Sequence, residues 1–432
     1  MQLYNTLRRR VEPFTPAGPT VGIYVCGVTP YDTTHLGHAR CYVVFDLLQR
    51  YLRYHGYPVR YVQNVTDVDD DILRKAREVG IPYEQLRDVN LAIFRRDMEA
   101  LNVLPPTVWP RATQEVPAML EIIQALVARG QAYAREGYVY FRVAAAPDFG
   151  TLSGWSLAQM LARLREEHFD PDDPRKEHPL DVLLWQPSAP DEPAWPSPWG
   201  PGRPGWHIEC TAMALKYLGP TLDIHGGGED LLFSHHESER AQAEVYTGVR
   251  PFVRFWVYAG TVYLDDAKMS KSLGNLVLVR DLLTRYSADA VRLYLARTHY
   301  RARLTYDERE LAEAEALVGR LRRAAARRAD GDGRQEGPGA LAANPHRLDP
   351  PAVRPAEPPA PPETAAFRAR FEAAMDADLD TPAAIEVLLE LAAAIERSRA
   401  AEAALQAALL VELAAVLGLR LAGQPAPVWP PS

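Results

Sequence analysis

Three groups of residues in this 432-residue chain have the types and spacing to do chemistry. The first is His35-Leu36-Gly37-His38, placed where an apolar strand (Gly22 to Cys26) gives way to an amphipathic helix (roughly Ala39 to His55). A helix N-terminus presents unpaired N–H groups and a partial positive charge, and anions settle there. Two imidazoles and a glycine at such an end suit a polyphosphate, with Thr33 and Thr34 expected to cap the helix. The second group, 233 residues further on, is Lys268-Met269-Ser270-Lys271-Ser272, followed by Leu273-Gly274-Asn275. Two lysines three apart, among hydroxyls and small residues, suit a mobile cationic clamp. The third group is dispersed: Cys26, Cys210, His235 and Glu239. His235 and Glu239 are four apart and share a face if the segment is helical. Two thiolates, an imidazole and a carboxylate make a reasonable zinc set. The same spacing also suits buried thiols and a solvated glutamate, and on spacing alone both readings stand. Cys41 falls on the apolar face of the first helix and reads as a core residue.

These groups need a scaffold, and residues 20 to 150 supply an alternation of strands and helices. Val21 to Val25, Val59 to Val62 and Tyr138 to Val143 read as strands. Cys41 to Tyr54, Asp71 to Val79, Tyr83 to Ala100 and Val116 to Arg129 read as helices. Such alternation implies a parallel sheet with both faces covered. Residues 151 to 205, rich in Pro, Trp and Asp, read as an irregular insertion. Regular signals return at Trp206 to Tyr217, Leu222 to His225, Glu237 to Tyr246 and Phe252 to Tyr258. Asp281 to Arg297 and Tyr306 to Arg328 read as helices, the latter carrying Arg320, Arg322, Arg323, Arg327 and Arg328. Residues 330 to 363 are rich in Gly, Pro and Ala and read as a linker. Residues 366 to 417 are strongly helical, and Gln424 to Ser432 form a Pro-rich tail. The expected division is 1–305 as the α/β unit with an insertion at about 105–205, 306–329 as a helical connection, 330–363 as linker and 364–423 as a helical domain.

Composition narrows the class. Hydrophobic residues make up 47% and charged residues 24%, the profile of a soluble globular protein. No stretch approaches the roughly 20 apolar residues of a membrane span. Met1 leads directly into Gln2-Leu3-Tyr4, without the charged and apolar leader of a secreted chain. Three cysteines make no disulfide framework, and a reducing cytoplasm is the expected compartment. The net charge of −8 exerts no global pull on nucleic acid. Between 366 and 432 there are 5 Arg against 9 Asp and Glu, a net of −4, so the helical end is itself acidic. A Rossmann dehydrogenase is excluded, because Cys26-Gly27-Val28-Thr29 after the first strand is not G-x-G-x-x-G.

In this order the first two groups resemble the HIGH and KMSKS motifs of class I aminoacyl-tRNA synthetases, which hold ATP while an amino acid is adenylated. Further segments are similar to the cysteinyl-tRNA synthetases: Tyr24 to Thr29, Asn64 to Asp70, Trp195 to Gly200, Gly202 to Cys210, Asp223 to Leu231 and His235 to Glu239. The similarity covers about residues 1 to 305 and weakens over Met375 to Arg399, where Asp378-Leu379-Asp380-Thr381-Pro382 resembles the start of that family's helical domain. The resemblance implies a Rossmann-like (HUP) parallel-sheet catalytic domain with an inserted subdomain and a C-terminal α-helical domain. It implies that Cys26, Cys210, His235 and Glu239 hold one Zn2+ per chain. It places ATP, with Mg2+, against His35, Gly37, His38, Lys268 and Lys271, with His35, His38, Lys268 and Lys271 as the catalytic set. Gly27, Thr66, Trp206 and Asp230 match positions that line the cysteine and adenylate pocket, Asp230 near the substrate ammonium or ribose. Implied partners are L-cysteine, ATP and tRNA(Cys), with the chain acting as a monomer.

A second family shares this catalytic half: the mycothiol-pathway ligase, which adenylates cysteine and passes it to glucosaminyl-inositol. Thr29 to Ala39, Gln63 to Asp70 and Gly274 to Val279 are closer to that ligase. The synthetases also usually carry a further basic segment that reads the anticodon, and this chain stops soon after Leu417-Gly418-Leu419. Against this, Glu239, His225, Leu273, Leu152-Ser153-Gly154 and Asp173-Pro174-Arg175-Lys176 are synthetase-like. The arginines of 320 to 328 suit either a tRNA backbone or a solvated helix face. The expected activity is therefore cysteine–tRNA ligation, with the amino sugar as the alternative acceptor.

Overall fold

A computed structural model describes residues 1–32, 34–269, 274–327, 362–422 and 427–430. The chain opens with a hairpin, β1 (Gln2–Asn5) and β2 (Arg10–Pro13), then enters the central sheet with β3 (Val21–Val28). Helix α1 (Leu36–Tyr54) leads to β4 (Val59–Val65), α2 (Asp70–Val79), α3 (Tyr83–Ala100) and α4 (Ala112–Ala128). Next come β5 (Ala132–Arg135), β6 (Tyr138–Phe141), α5 (Leu157–Glu166), β7 (Val182–Pro187) and β8 (Gly202–Pro204). Helix α6 (Trp206–Leu218), β9 (Leu222–Gly228), α7 (Glu237–Thr247) and β10 (Val253–Ala259) return the chain to the central sheet. Short strands β11 (Val262–Leu264), β12 (Ala267–Lys268) and β13 (Leu304–Thr305) form a small side sheet around α8 (Val279–Leu283) and α9 (Ala288–Ala296). The described residues end in helices α10 (Glu308–Ala326), α11 (Pro362–Asp376), α12 (Thr381–Arg397) and α13 (Ala400–Val416), followed by the tail.

The central sheet runs β10-β9-β3-β4, every pair parallel. Its strands are near-continuous runs of buried residues, as a sheet covered on both faces requires. Residues Val21, Ile23 and Val25 pack on one side with Leu36, Val43 and Leu47 of α1, and Tyr24 and Cys26 belong to the core on the other side, with Ile208 and Cys210 of α6. Cys41 is half-buried against the first of these cores, and burial pushes its thiol up, in keeping with a packing role.

The insertion is more regular than its composition suggests. Strands β5 to β8 form an antiparallel sheet in chain order, with α5 beside it. These strands are three to six residues long and two of them end in proline, so periodicity carries little signal in them. The single helix expected over Asp281 to Arg297 is instead α8 and α9, broken at Thr284 to Ser287, where the Ser287 hydroxyl accepts the Ala290 N–H at 3.2 Å. The linker expected over 330–363 lies outside the described residues as far as 361. Pro362 and Glu363 already open α11, a position where proline's missing N–H costs nothing.

Two buried polar hubs weld the helical end to the sheet. Asp46 of α1 pairs with Arg292 and Arg50, and Arg292 also donates to the carbonyls of Leu417 and Leu101. These cations hold the Asp46 carboxyl below its usual range although burial works the other way. Asp378, between α11 and α12, accepts from the Tyr4 amide, the Tyr300 hydroxyl and the Arg301 guanidinium at 2.7 to 2.8 Å. Three arginines at the end of α10 pair with this assembly. Arg322 meets Asp289 at 2.7 Å, Arg320 approaches Glu396 at 3.6 Å, and Arg327 caps the carbonyls at the end of α12. In the tail, Trp429 is buried edge-on to Phe94 and Trp109 and donates to the Val103 carbonyl at 2.9 Å.

Candidate active site and metal centre

The cluster Cys26, Cys210, His235 and Glu239 assembles from four elements. Cys26 comes from the end of β3, Cys210 from α6, His235 from the wide turn before α7, and Glu239 from the first turn of α7. All four are buried, and their ligand atoms lie within 4.8 Å of one another. The two sulfurs are 3.9 Å apart, Cys26 Sγ is 3.5 Å from Glu239 Oε1, and His235 Nε2 is 3.1 Å from the same oxygen. A tetrahedral zinc with bonds of about 2.0–2.3 Å would set its ligands about 3.3–3.8 Å apart, so the donor set fits that ion.

The electrostatics of the cluster point the same way. Burial and the nearby Cys210 sulfur push the Cys26 thiol up. Cys210 is brought down to about 6 despite its burial, through Cys26 and His235. Two sulfurs this close hold one negative charge readily, and the second needs a cation. Burial opposes charge on His235, yet the Cys210 sulfur and the Glu239 carboxylate lift it to about 10. Glu239 is held well below the carboxylate range, because His225 and His235 outweigh its burial.

A further ring of groups was not singled out as ligands by sequence reasoning. His225 Nε2 donates to Glu239 Oε2 at 2.9 Å, and His236 Nε2 lies 3.1 Å from Cys26 Sγ. Together with Cys26 and Glu239 they form a second set of four within the same 4.8 Å. The Tyr258 hydroxyl on β10 sits 2.9 Å from His236 Nδ1 and turns that ring toward the sulfur. His207 Nδ1 is 2.9 Å from His235 Nδ1, and Trp206 stacks on His235 with ring centres 4.2 Å apart. The adjacency of His236 to His235 was the one available signal.

At the phosphate end, His35 is itself the N-cap of α1. Its Nδ1 accepts the Gly37 N–H at 3.1 Å, and His38 Nδ1 accepts the His35 N–H at 3.4 Å. The two imidazoles stack with centres 3.9 Å apart. Of the threonines expected to cap the helix, Thr34 does not, being buried with its carbonyl on the Val279 N–H, and Thr33 lies outside the described residues. The imidazole supplies the same acceptor a hydroxyl would, which is why the cap moved by one residue.

Segment 277–279, just past the lysine motif, is laced to this turn. Leu36 N–H meets the Val277 carbonyl at 2.8 Å, and His35 and Leu278 form an antiparallel bridge. Lys268 reaches Asp230 at 3.2 Å, while Asn275 donates to the Lys268 carbonyl at 3.0 Å. Lys271 lies outside the described residues.

The other expected pocket residues surround the cluster. Gly27 donates to Asn64 Oδ1 at 2.8 Å, and a Cβ there would fall 1.5 Å from the Asn64 carbonyl, so only glycine lets β3 pass β4 here. Asn64 Nδ2 donates to Thr66 Oγ1 at 3.1 Å. Trp206, Glu209 and Ser234 border a cleft of about 720 Å³ that runs between α2 and the insertion. Asp69 also lines it, pushed up to about 7 by burial and by its Asp70 and Asp71 neighbours.

Comparison with known proteins matches this architecture. Residues 14–316 fit the family model of the class I (C) tRNA synthetase catalytic domain, and residues 370–422 fit the DALR domain. The chain is 50% identical over 329 residues to a protein of Dehalococcoides mccartyi named cysteine–tRNA ligase, the match covering 76% of this chain and 71% of that one. A Symbiobacterium thermophilum protein of the same name is 49% identical over 323 residues, covering 74% and 68%. The Mycobacterium tuberculosis methionyl-tRNA synthetase bound to methionyl-adenylate superposes with a TM-score of 0.62 at 18% identity, covering 93% of this chain and 90% of that one, a likeness of fold. The chain belongs to the class I tRNA synthetases with the (C) type of catalytic domain.

Proposed function

We propose that this chain is a cysteine–tRNA ligase: it activates L-cysteine with ATP to cysteinyl-adenylate and transfers the cysteinyl group to tRNA(Cys). The observation that carries the amino acid is the buried Cys26, Cys210, His235 and Glu239 cluster beside Trp206. Packing alone separates cysteine from serine by only about 1–3 kcal/mol. A borderline-soft zinc ion held by the four ligands would prefer a substrate thiolate to a hydroxyl, so it would supply side-chain selection.

Activation needs no general base. The substrate carboxylate is already ionised and attacks the α-phosphate of ATP; pyrophosphate leaves. The chain's task is positioning and charge neutralisation. His35 and His38, at the N-terminus of α1, hold the phosphates, with Gly37 giving them room. Lys268 and Lys271 follow the β- and γ-phosphates, with Mg2+ as their counter-ion. Lys268 leaves Asp230 as it does so. Gly27, Thr66 and Trp206 line the aminoacyl pocket. The enzyme acts as a monomer in the cytoplasm; among the described residues no helix is long and apolar enough to cross a membrane.

A second acceptor is favoured by the pairing of Arg320 with Glu396, Arg322 with Asp289 and Arg327 with the end of α12, which weakens the basic face a tRNA backbone would use. In that reading cysteine passes to the amine of glucosaminyl-inositol. One experiment decides: the purified chain, with ATP and radiolabelled cysteine, is offered cognate tRNA or the amino sugar. Charging of tRNA is the expected result, and charging of the sugar alone overturns it.

A further inference from the structure

An amino acid held by its thiol still has to present its carboxylate to ATP. The α-ammonium, three bonds from the sulfur, must therefore be fixed by an anion close to the thiol site. Besides Glu239, which the cluster takes, and Glu167, which Ser234 and Arg163 hold, four carboxylates are candidates, and three of them are already engaged. Asp230 is 45% exposed and pairs with Lys268 before ATP arrives, and a carboxylate so solvated holds an ammonium only weakly. Asp67 accepts the Thr113 amide and hydroxyl, at 2.9 and 2.7 Å. Asp69 caps α2 through the Asp71 amide at 2.7 Å. The fourth, Glu209, is different. It is 2% exposed, precedes Cys210 on α6, and borders the cleft with Trp206. Its Oε2 has no hydrogen-bond partner among the described residues. The charges facing it are Cys210, Asp67 and Asp69, every one anionic or potentially so. A buried carboxylate oxygen left unpaired carries a desolvation penalty, and an arriving cation removes it.

Resting on the cysteine reading above, the geometry assigns Glu209 as the anchor of the substrate α-ammonium. Beside it, Asn64 Oδ1 takes the Gly27 N–H and Asn64 Nδ2 donates to Thr66 Oγ1, which ties the strand crossing that demands glycine at 27 to Thr66. Glu209 is a specificity-determining residue for an amino acid as opposed to any thiol carboxylate.

The test uses the full-length, zinc-loaded chain and two ligands, cysteine and 3-mercaptopropionate, which keeps thiol and carboxylate but lacks the ammonium. Binding is measured by calorimetry, zinc by atomic absorption, and KM and kcat by pyrophosphate exchange. The wild type should bind cysteine about 30-fold or more tightly than 3-mercaptopropionate. Glu209→Gln should lose that preference: cysteine weakens by the same factor, 3-mercaptopropionate is unchanged, zinc stays at one per chain, and the loss falls on KM rather than kcat. Glu209→Asp should recover part of it. Equal binding of the two ligands by the wild type overturns the assignment without need of any variant. So does a Glu209→Gln protein that weakens both ligands alike, which marks a merely structural carboxylate. A wild type that binds neither thiol overturns the cysteine reading itself.

Discussion

Around Cys26 and Cys210 the polar side chains are buried and held by neighbours: His225 on Glu239, Tyr258 on His236, His207 on His235. Around Lys268 the side chains are half-exposed, and an ion pair to Asp230 at 3.2 Å ties the segment to the turn after β9. The contrast follows from what each region must do. A soft-ligand site distinguishes sulfur from oxygen only if its donors are fixed before the substrate arrives. A polyphosphate clamp must admit ATP and release pyrophosphate, so its cations are held weakly and exchange partners. On the proposed function, selectivity is built into the sheet, and charge neutralisation into a loop joined to the sheet through the bridge between His35 and Leu278.

The sharpest way to break this contrast is at the rigid side. Cys210→Ser should lose zinc and lower cysteine-dependent pyrophosphate exchange by at least ~10³-fold, since the hydroxyl is a poor ligand for a borderline-soft cation. Metal analysis and exchange on the same preparation check this; full exchange in a zinc-free variant removes the thiol-reading role. Next is the hub that supports the sheet. Asp46→Asn leaves Arg292 buried without its counter-charge and should cost about 3–5 kcal/mol in denaturant unfolding. The folded-state pKa of Asp46 is depressed, so its stabilisation is present above the unfolded value of about 3.9 and fades as pH falls through the folded one. The gap between wild type and variant should therefore be full at pH 7 and close below pH 4.

Spacing made the two motifs legible because they are fixed by local geometry, a strand end and a helix start, whereas of the four cluster residues it paired only His235 with Glu239, and the resemblance joined Cys26 and Cys210 to them. The parallel sheet was legible for the same reason, since its strands are long and apolar. What escaped notice depends on tertiary approach. His225, His236 and Tyr258 lie on β9, the turn before α7 and β10, and their meeting is set by strand order, which no single segment encodes. Glu209 looked like an ordinary helical glutamate; its empty oxygen exists only because α6 packs against β3 and β4. The arginines of α10 read as a free face because Asp289 and the end of α12 were not in view.

Smaller effects refine the comparison. Tyr258→Phe removes the hydroxyl that orients His236 while keeping the ring, so zinc affinity should fall about tenfold in a chelator competition, with the fold unchanged. Equal affinity would mean that His236 is fixed by packing against Trp256 alone.

The last substitution probes the loose side, where the expected cost to the fold is smallest. Lys268 and Asp230 are 39% and 45% exposed, and a pair at that exposure contributes no more than about 1 kcal/mol. Lys268→Ala should therefore leave thermal unfolding, zinc content and cysteine binding close to wild type. Its effect should fall on ATP, as a raised KM and a slower exchange, because the cation is needed only once phosphates are present. Asp230→Asn separates the two roles of the pair: it frees Lys268 without removing it, so ATP KM should fall or hold. A Lys268→Ala protein that loses zinc or unfolds early would show that the lysine segment braces the metal cluster, and the division between a fixed selector and a mobile clamp would not stand.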